Sequence, residues 1–150
     1  MARWKTYFSL EGRASRLAFW RFFLLQSLVG AGLMAVTSFA TIVGGWLGAI
    51  PAILFAPLLV ASFCVVVRRL HDRGKSALWA VIFTFGPFVL TAPPELLGRA
   101  ASPLAVLGAG LAALAGLILA LWSWIELGVL AGQKGPNRYG PDPRVWSSAA

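Results

Sequence analysis

Polar and apolar positions fall into long separate blocks along this chain. No charged residue occurs from Phe22 to Val67, from Ser76 to Pro94 or from Ala100 to Ile125, runs of 46, 19 and 26 residues. A helix needs roughly 20 apolar residues to cross the hydrocarbon of a bilayer. The first run therefore holds two spans and each of the others one, which places them at about 17–43, 47–67, 76–92 and 103–127. Residues 1–16 read as an interfacial arm, with Trp4, Tyr7 and Phe8 at helical spacing before Gly12 breaks the run. Residues 68–75 form a polar cytoplasmic loop, and residues 128–150 a cytoplasmic tail too rich in Gly and Pro to be helical throughout. The pattern predicts an all-α membrane protein, with 1–150 as a single membrane domain. Its architecture is a four-transmembrane-helix bundle with both termini cytoplasmic.

Local signals support these bounds. Ser15 can cap the first span, and Arg21 lies near its cytoplasmic end, where a long stem can snorkel. Gly44-Gly45-Trp46 reads as a tight external turn. In the second span Pro51 falls in the first turn, where proline is tolerated, whereas Pro57 is expected to kink the helix. Ser76 can cap the third span, which is short and contains Gly86-Pro87. Glu95 to Ala101 forms a second external loop, and Ser102-Pro103 is a cap followed by proline at the first helical position. Small residues recur every four positions at Gly108, Ala112 and Gly116, at Ala105, Ala109 and Ala113, and at Ser27, Ala31 and Ala35. Such spacing lets helix backbones approach closely, either within the bundle or across a homodimer face.

Composition agrees with this reading. The chain is 59% hydrophobic and 12% charged, with a mean hydropathy of +0.78, whereas soluble domains carry roughly one-quarter charged residues. A net charge of +8 would suggest nucleic acid in a soluble protein. Here the charge follows the positive-inside rule: 12 of the 13 basic residues fall on one side of the four-span arrangement and only Arg99 on the other. No groove of basic and aromatic residues accompanies the charge, so nucleic acid is not an expected partner. The first 21 residues hold five basic residues without a short apolar core and small-residue cleavage site, so no cleavable signal peptide is expected. The lone cysteine, Cys64, reads as a buried small hydrophobe.

Candidate chemistry is sparse. The acids are Glu11, Asp72, Glu95, Glu126 and Asp142, beside one histidine. They form no paired-carboxylate, metal-ligand or nucleophile-elbow pattern, and no phosphate-binding glycine loop is present. No catalytic, cofactor-binding or metal-binding residue is assigned. No ionisable residue falls near the middle of a span, which argues against coupled ion transport. Glu126, at the cytoplasmic end of the fourth span, is expected to pair with Arg21 or with Arg68-Arg69. If the second helix continues past Val67, Arg68 and Asp72 lie four apart and can pair on one face.

Three polar segments are together distinctive. They are Glu11-Gly12-Arg13-Ala14-Ser15-Arg16 leading to Phe19-Trp20, then Arg68-Arg69-Leu70-His71-Asp72 with Gly74 and Ser76, and last Gly132 followed by Gly135-Pro136-Asn137-Arg138-Tyr139-Gly140-Pro141-Asp142-Pro143. Their order and spacing resemble the YhaH-like family of small bacterial inner-membrane proteins, the domain of unknown function numbered eight hundred and five. The resemblance runs from about Trp4 to Pro143. It implies a multi-pass protein of the inner (cytoplasmic) membrane and brings no activity or cofactor with it. The family commonly has a glutamate where this chain has Ala18, which removes a partner for an arginine. It commonly has Gly-Trp-Trp where this chain has Ala77-Leu78-Trp79, which changes the start of the third span.

The resemblance also implies that the polar segments, rather than the spans, define the protein. The candidate cytoplasmic cluster is accordingly Arg13, Arg16, Arg68, Arg69, His71, Asp72, Asn137, Arg138, Tyr139 and Asp142. The expected function is non-enzymatic: a basic cytoplasmic surface offered to a protein partner or to anionic lipid headgroups, with homo-oligomerisation open. The alternatives are a small oligomeric transporter or lipid-translocating component, and a membrane enzyme acting on a phosphorylated lipid through His71 or Asp72 with the arginines.

Overall fold

A computed structural model describes residues 7–44, 49–92 and 102–144, without the side chains of 49–52. Trp4, the Gly45-Trp46 turn, the side chain of Pro51 and the expected second external loop from Glu95 to Ala101 lie outside the described residues. Four helices follow in order: α1 (Arg16–Gly44), α2 (Ala49–Asp72), α3 (Leu78–Leu90) and α4 (Pro103–Trp124). A π-helical segment, Ile125–Val129, extends α4. No strand occurs among the described residues; the nearest feature is an isolated antiparallel bridge between Asn137 and Gly140.

The starts of α1 and α4 follow from their caps. Ser15 Oγ accepts from Ala18 N at 3.2 Å, and Ser102 Oγ accepts from Ala105 N at 3.2 Å with Pro103 next in the chain. Two expectations are corrected at the other helices. The stretch 68–72 is not loop but the last turn of α2, which also runs through Pro57. A left-handed glycine ends the helix, Gly74 at φ +74. Lys75 N donates to Leu70 O at 2.9 Å and Gly74 N to His71 O at 3.0 Å, the paired closure of a Schellman stop. Ser76 does not cap α3. The position before the helix belongs to Ala77, which makes no side-chain cap bond, and the turn closes instead through Trp79 N on the Ser76 carbonyl at 3.2 Å.

Length separates the helices. Three are long and apolar enough to cross a membrane: Arg16–Gly44, Ile53–Asp72 and Pro103–Val129. With 13 residues, α3 reaches about 20 Å, short of the ~30 Å hydrocarbon thickness. The helices pack α1 on α2, α2 on α3 and α3 on α4, with the π segment closing back onto α1. Closest approach between α3 and α4 uses glycine. A Cβ at Gly116 would lie 3.0 Å from Leu90 Cβ and from Thr91 Cγ2, and one at Gly86 would lie 2.6 Å from Leu119 Cδ2. The expected small-residue stripe of α4 therefore divides, because nothing among the described residues lies within 4 Å of a Cβ at Gly108.

Apart from Gly116 in mid-α4, burial lies towards one end of the bundle. Val67, Leu70, Ala80, Phe83 and Leu127 form one cluster and Phe22, Ala61 and Val65 another. Cys64 is buried beside them. Elsewhere the large apolar side chains face outward, Leu28 at 74% exposure, Ile42 at 83% and Leu104 at 79% among them. Such an exterior would be costly in water and is at home in lipid.

Candidate functional site

The start of α1, the end of α2, the start of α3 and the π segment all meet at the buried end. The polar segments before α1, between α2 and α3, and after the π segment therefore converge there. Asp72 is the centre. Its Oδ1 accepts from Arg13 Nε at 3.0 Å and Nη2 at 2.9 Å, and its Oδ2 accepts from Arg69 Nη1 at 2.5 Å. All three side chains are buried, at 1% exposure for Arg13, 0% for Arg69 and 4% for Asp72. The Arg68–Asp72 pairing expected from sequence is replaced by this triad. Arg68 Nη2 instead donates to the Arg13 carbonyl at 3.3 Å, while Ala14 N donates to the Arg68 carbonyl at 3.0 Å, so arm and helix hold each other.

A second network explains why arginines gather around α4. The π segment carries an i→i+5 bond from Leu130 N to Ile125 O at 3.0 Å. From Leu127 onward, consecutive carbonyls each take a side-chain donor. Leu127 O accepts from Arg69 Nε at 2.8 Å, Gly128 O from Trp20 Nε1 at 3.1 Å and Val129 O from Arg16 Nη1 at 3.0 Å. Leu130 O accepts from Arg69 Nη2 and Ala131 O from Arg73 Nη1, both at 2.5 Å. A helix end leaves such carbonyls orphaned, and at a membrane surface each orphan is expensive. Guanidinium groups fill the vacancy and suit the negative end of the helix dipole.

Glu126 is buried within the π segment, and its partners differ from those expected: Arg73 Nε at 2.9 Å and Lys75 Nζ at 3.2 Å, not Arg21 or Arg68-Arg69. Lys75 Nζ also lies 4.9 Å from the Trp79 ring centre and 5.4 Å from that of Trp122, a cation–π seat that holds the short α2–α3 loop against α4.

The tail folds back over this base. Gln133 N donates to the Asp72 carbonyl at 2.8 Å, and Arg13 Nη1 donates to Gly135 O at 2.6 Å. Tyr139 stacks on His71 with ring centres 3.8 Å apart and planes 4° from parallel. Asn137 Nδ2 donates to the His71 carbonyl at 2.9 Å, and Arg138 Nη2 to Gly74 O at 3.2 Å. Asp142 accepts from Gly135 N at 3.1 Å and from Arg144 Nη2 at 2.6 Å. The hydrogen bonds from the Arg144 side chain and backbone hold the Asp142 carboxyl well below the usual carboxylate range and raise the guanidinium in return.

All ten residues of the candidate cluster thus come to one end of the bundle, in unequal roles. Arg13, Arg69, His71, Asp72 and Asp142 are buried; Arg68, Asn137 and Tyr139 are half-buried; Arg16 and Arg138 are exposed. Sequence reasoning left out Arg73, Lys75, Gln133 and Trp20, each of which ties two segments together. Gly132 was missed as a contact: a Cβ there would lie 1.8 Å from Asp72 Oδ2. Each buried acid faces a cation, and no group of three His, Cys, Asp or Glu that could hold a metal ion occurs among the described residues.

On the outer flank of α1, Ser15, Arg16, Leu17, Ala18 and Arg21 form with Arg144 an open depression of about 450 Å³. Arg21 contributes there at the second turn of α1, with its side chain exposed.

Known proteins are similar to this chain over most of its length. The family model described as "Protein of unknown function (DUF805)" matches residues 7–141. "Inner membrane protein YhaI" of Escherichia coli (strain K12) is 27% identical over 144 residues, covering 96% of this chain and 93% of that one. "Uncharacterized protein YiiR" of the same strain is 31% identical over 143 residues, covering 90% and 86%. "Inner membrane protein YhaH", also of that strain, is 26% identical over 149 residues, covering 94% and 92%. No solved structure matches the chain. With its long apolar helices and outward-facing apolar side chains, the chain is a multi-pass inner-membrane protein, and it belongs to the family described as "Protein of unknown function (DUF805)".

Proposed function

We propose that this protein crosses the membrane four times with both ends cytoplasmic, and that it acts without catalysis by presenting a basic surface to anionic lipid headgroups. Two features support the four crossings. The end of α2 meets the π segment that extends α4, with Arg69 Nε on the Leu127 carbonyl, so a chain leaving α2 at one face must return to the other before α4 begins. With 13 residues, α3 covers about 20 Å of that return. The 12-to-1 division of basic residues supports the orientation.

The observation that carries the functional reading is the division of labour among the cations. Arg13, Arg69, Arg73 and Lys75 are engaged by buried acids and carbonyls. Arg16 and Arg21 are exposed around the depression on α1, Arg16 with one guanidinium nitrogen on the Val129 carbonyl and the rest of the group facing outward. Each such residue near an anionic surface contributes about 1 kcal/mol.

Two experiments test this reading. Single cysteines at Ser9, Ser76 and Ser102 in a Cys64→Ala background, treated with an impermeant thiol reagent on intact cells, should label only at position 102. Labelling at position 76 would overturn the orientation. For the surface, the detergent-solubilised protein is titrated with short-chain phosphatidylglycerol and followed by native mass spectrometry. The Arg16→Gln/Arg21→Gln double variant should bind about thirty-fold more weakly, the equivalent of about 2 kcal/mol. Unchanged affinity, or equal binding of phosphatidylcholine by the original chain, would remove lipid headgroups as the ligand.

A further inference from the structure

A second cavity lies within the bundle, on a different face of α1 from the arginine depression. It is a half-open hollow of about 190 Å³, lined by α1, α2 and the end of α4. Phe22, Phe23 and Trp124 supply aromatic walls, and Gln26, Ser62 and Ser123 bring one polar side chain from each of three helices. Mostly apolar hollows with a few convergent polar groups are the usual form of a small-molecule site.

The polar groups are not equally satisfied. Ser123 Oγ donates to Ala120 O at 2.7 Å. Ser62 Oγ lies 2.5 Å from Gln26 Oε1 and 2.7 Å from Leu58 O, and its single hydrogen serves one of them. Gln26 lines the cavity, and its amide nitrogen, with two N–H donors, has no protein acceptor among the described residues. Gln26 is ten positions along α1 from Arg16, about 15 Å of helix rise, and so lies in the apolar span rather than at the surface. An amide donor without an acceptor is unfavourable in apolar surroundings, so an acceptor brought by a ligand would be favoured.

The walls indicate what carries that acceptor. Phe23 and Trp124 meet edge to face with ring centres 5.1 Å apart, the geometry in which aromatic faces and edges receive another flat ring. At 190 Å³ the cavity exceeds the ~150 Å³ known to hold a benzene.

We propose that this cavity binds a lipid-soluble six-membered ring bearing a carbonyl, of the quinone class. In this arrangement the carbonyl oxygen accepts from Gln26 Nε2, the ring lies among Phe22, Phe23 and Trp124, and the apolar tail extends into the bilayer. Binding alone is assigned, with no redox step.

The test uses the full chain in nanodiscs and two probes that share a ten-carbon tail and a ring but differ in oxygen: decylubiquinone and decylbenzene. Decylubiquinone should quench tryptophan fluorescence saturably and raise the melting temperature, whereas decylbenzene should do neither at the same membrane fraction. Gln26→Leu should weaken decylubiquinone binding about tenfold, as loss of one hydrogen bond to a buried donor implies. Val66→Phe narrows the cavity while leaving the amide in place and should abolish saturation. Equal effects of the two probes on the original chain would overturn the proposal even if both variants misfold, and so would undiminished binding by a folded Gln26→Leu variant.

Discussion

Gly132→Ala is expected to detach the tail from the base of the bundle and to cost about 3 kcal/mol or more, lowering the melting temperature in mild detergent by about 10 °C. The new Cβ would fall 1.8 Å from Asp72 Oδ2, 2.4 Å from Cγ and 2.8 Å from Oδ1. The carboxylate has nowhere to turn, because Arg13 holds one oxygen and Arg69 the other. The backbones cannot separate gently either, since Gln133 N is bonded to the Asp72 carbonyl at 2.8 Å. Either the carboxylate leaves two buried guanidinium groups or residues after 131 lift away, and both routes break a buried ion pair. Gly135→Ala is the informative comparison. Its φ of +76 disfavours a side chain, but nothing lies within 4 Å of the added carbon, so only backbone strain of about 1–2 kcal/mol is at stake. Limited trypsin digestion at Lys134 and Arg138 should accelerate in the Gly132 variant alone. A Gly132→Ala protein that melts within about 2 °C of the original, with its tail still protected, would show that this close approach is not structurally required.

The apolar helices were legible because they rest on local quantities. The stretch expected at 17–43 lies within a residue of α1 at each end, and the Ser15 and Ser102-Pro103 signals act over three residues. What escaped reading was set by distant partners. Arg68, Arg69 and Asp72 look like loop when charge is taken as exposure, yet they continue α2 because Arg13, 59 residues from Asp72, and the carbonyls of Leu127 and Leu130 receive them. One clue was present, since Gly74 is the left-handed stop that α2 uses, and a glycine just past a helical run is a recognised end signal. Glu126 was matched to the wrong cations for a related reason. The π segment and the short loop after Gly74 bring Arg73 and Lys75 to it, and neither feature has a clear mark in composition. The convergence of arm, loop and tail was readable from topology alone, but not which arginines face inward. That depends on which carbonyls the end of α4 leaves open.

Asp72→Ala should be the most damaging single change to a charged residue, costing about 3–5 kcal/mol, because of how little water reaches its partners. Arg13 and Arg69 would keep their bonds to the carbonyls of Gln133, Gly135, Leu127 and Leu130. Their charges, with side chains 1% and 0% exposed, would lose the carboxylate that bridges them. Glu126→Ala makes the contrast sharp. That carboxylate is equally buried at 4%, but its partners Arg73 and Lys75 are 24% and 26% exposed, so solvent can take up part of the abandoned charge. Thermal and denaturant melts in detergent should therefore place Asp72→Ala below Glu126→Ala by at least about 1 kcal/mol. Combining Asp72→Ala with Arg13→Met should fall short of additivity by about 1–3 kcal/mol, whereas Lys134→Gln, at an exposed position, should simply add. If the two acid variants melt alike, or the Arg13 cycle closes additively, then burial of the cations does not set the stability of this cluster.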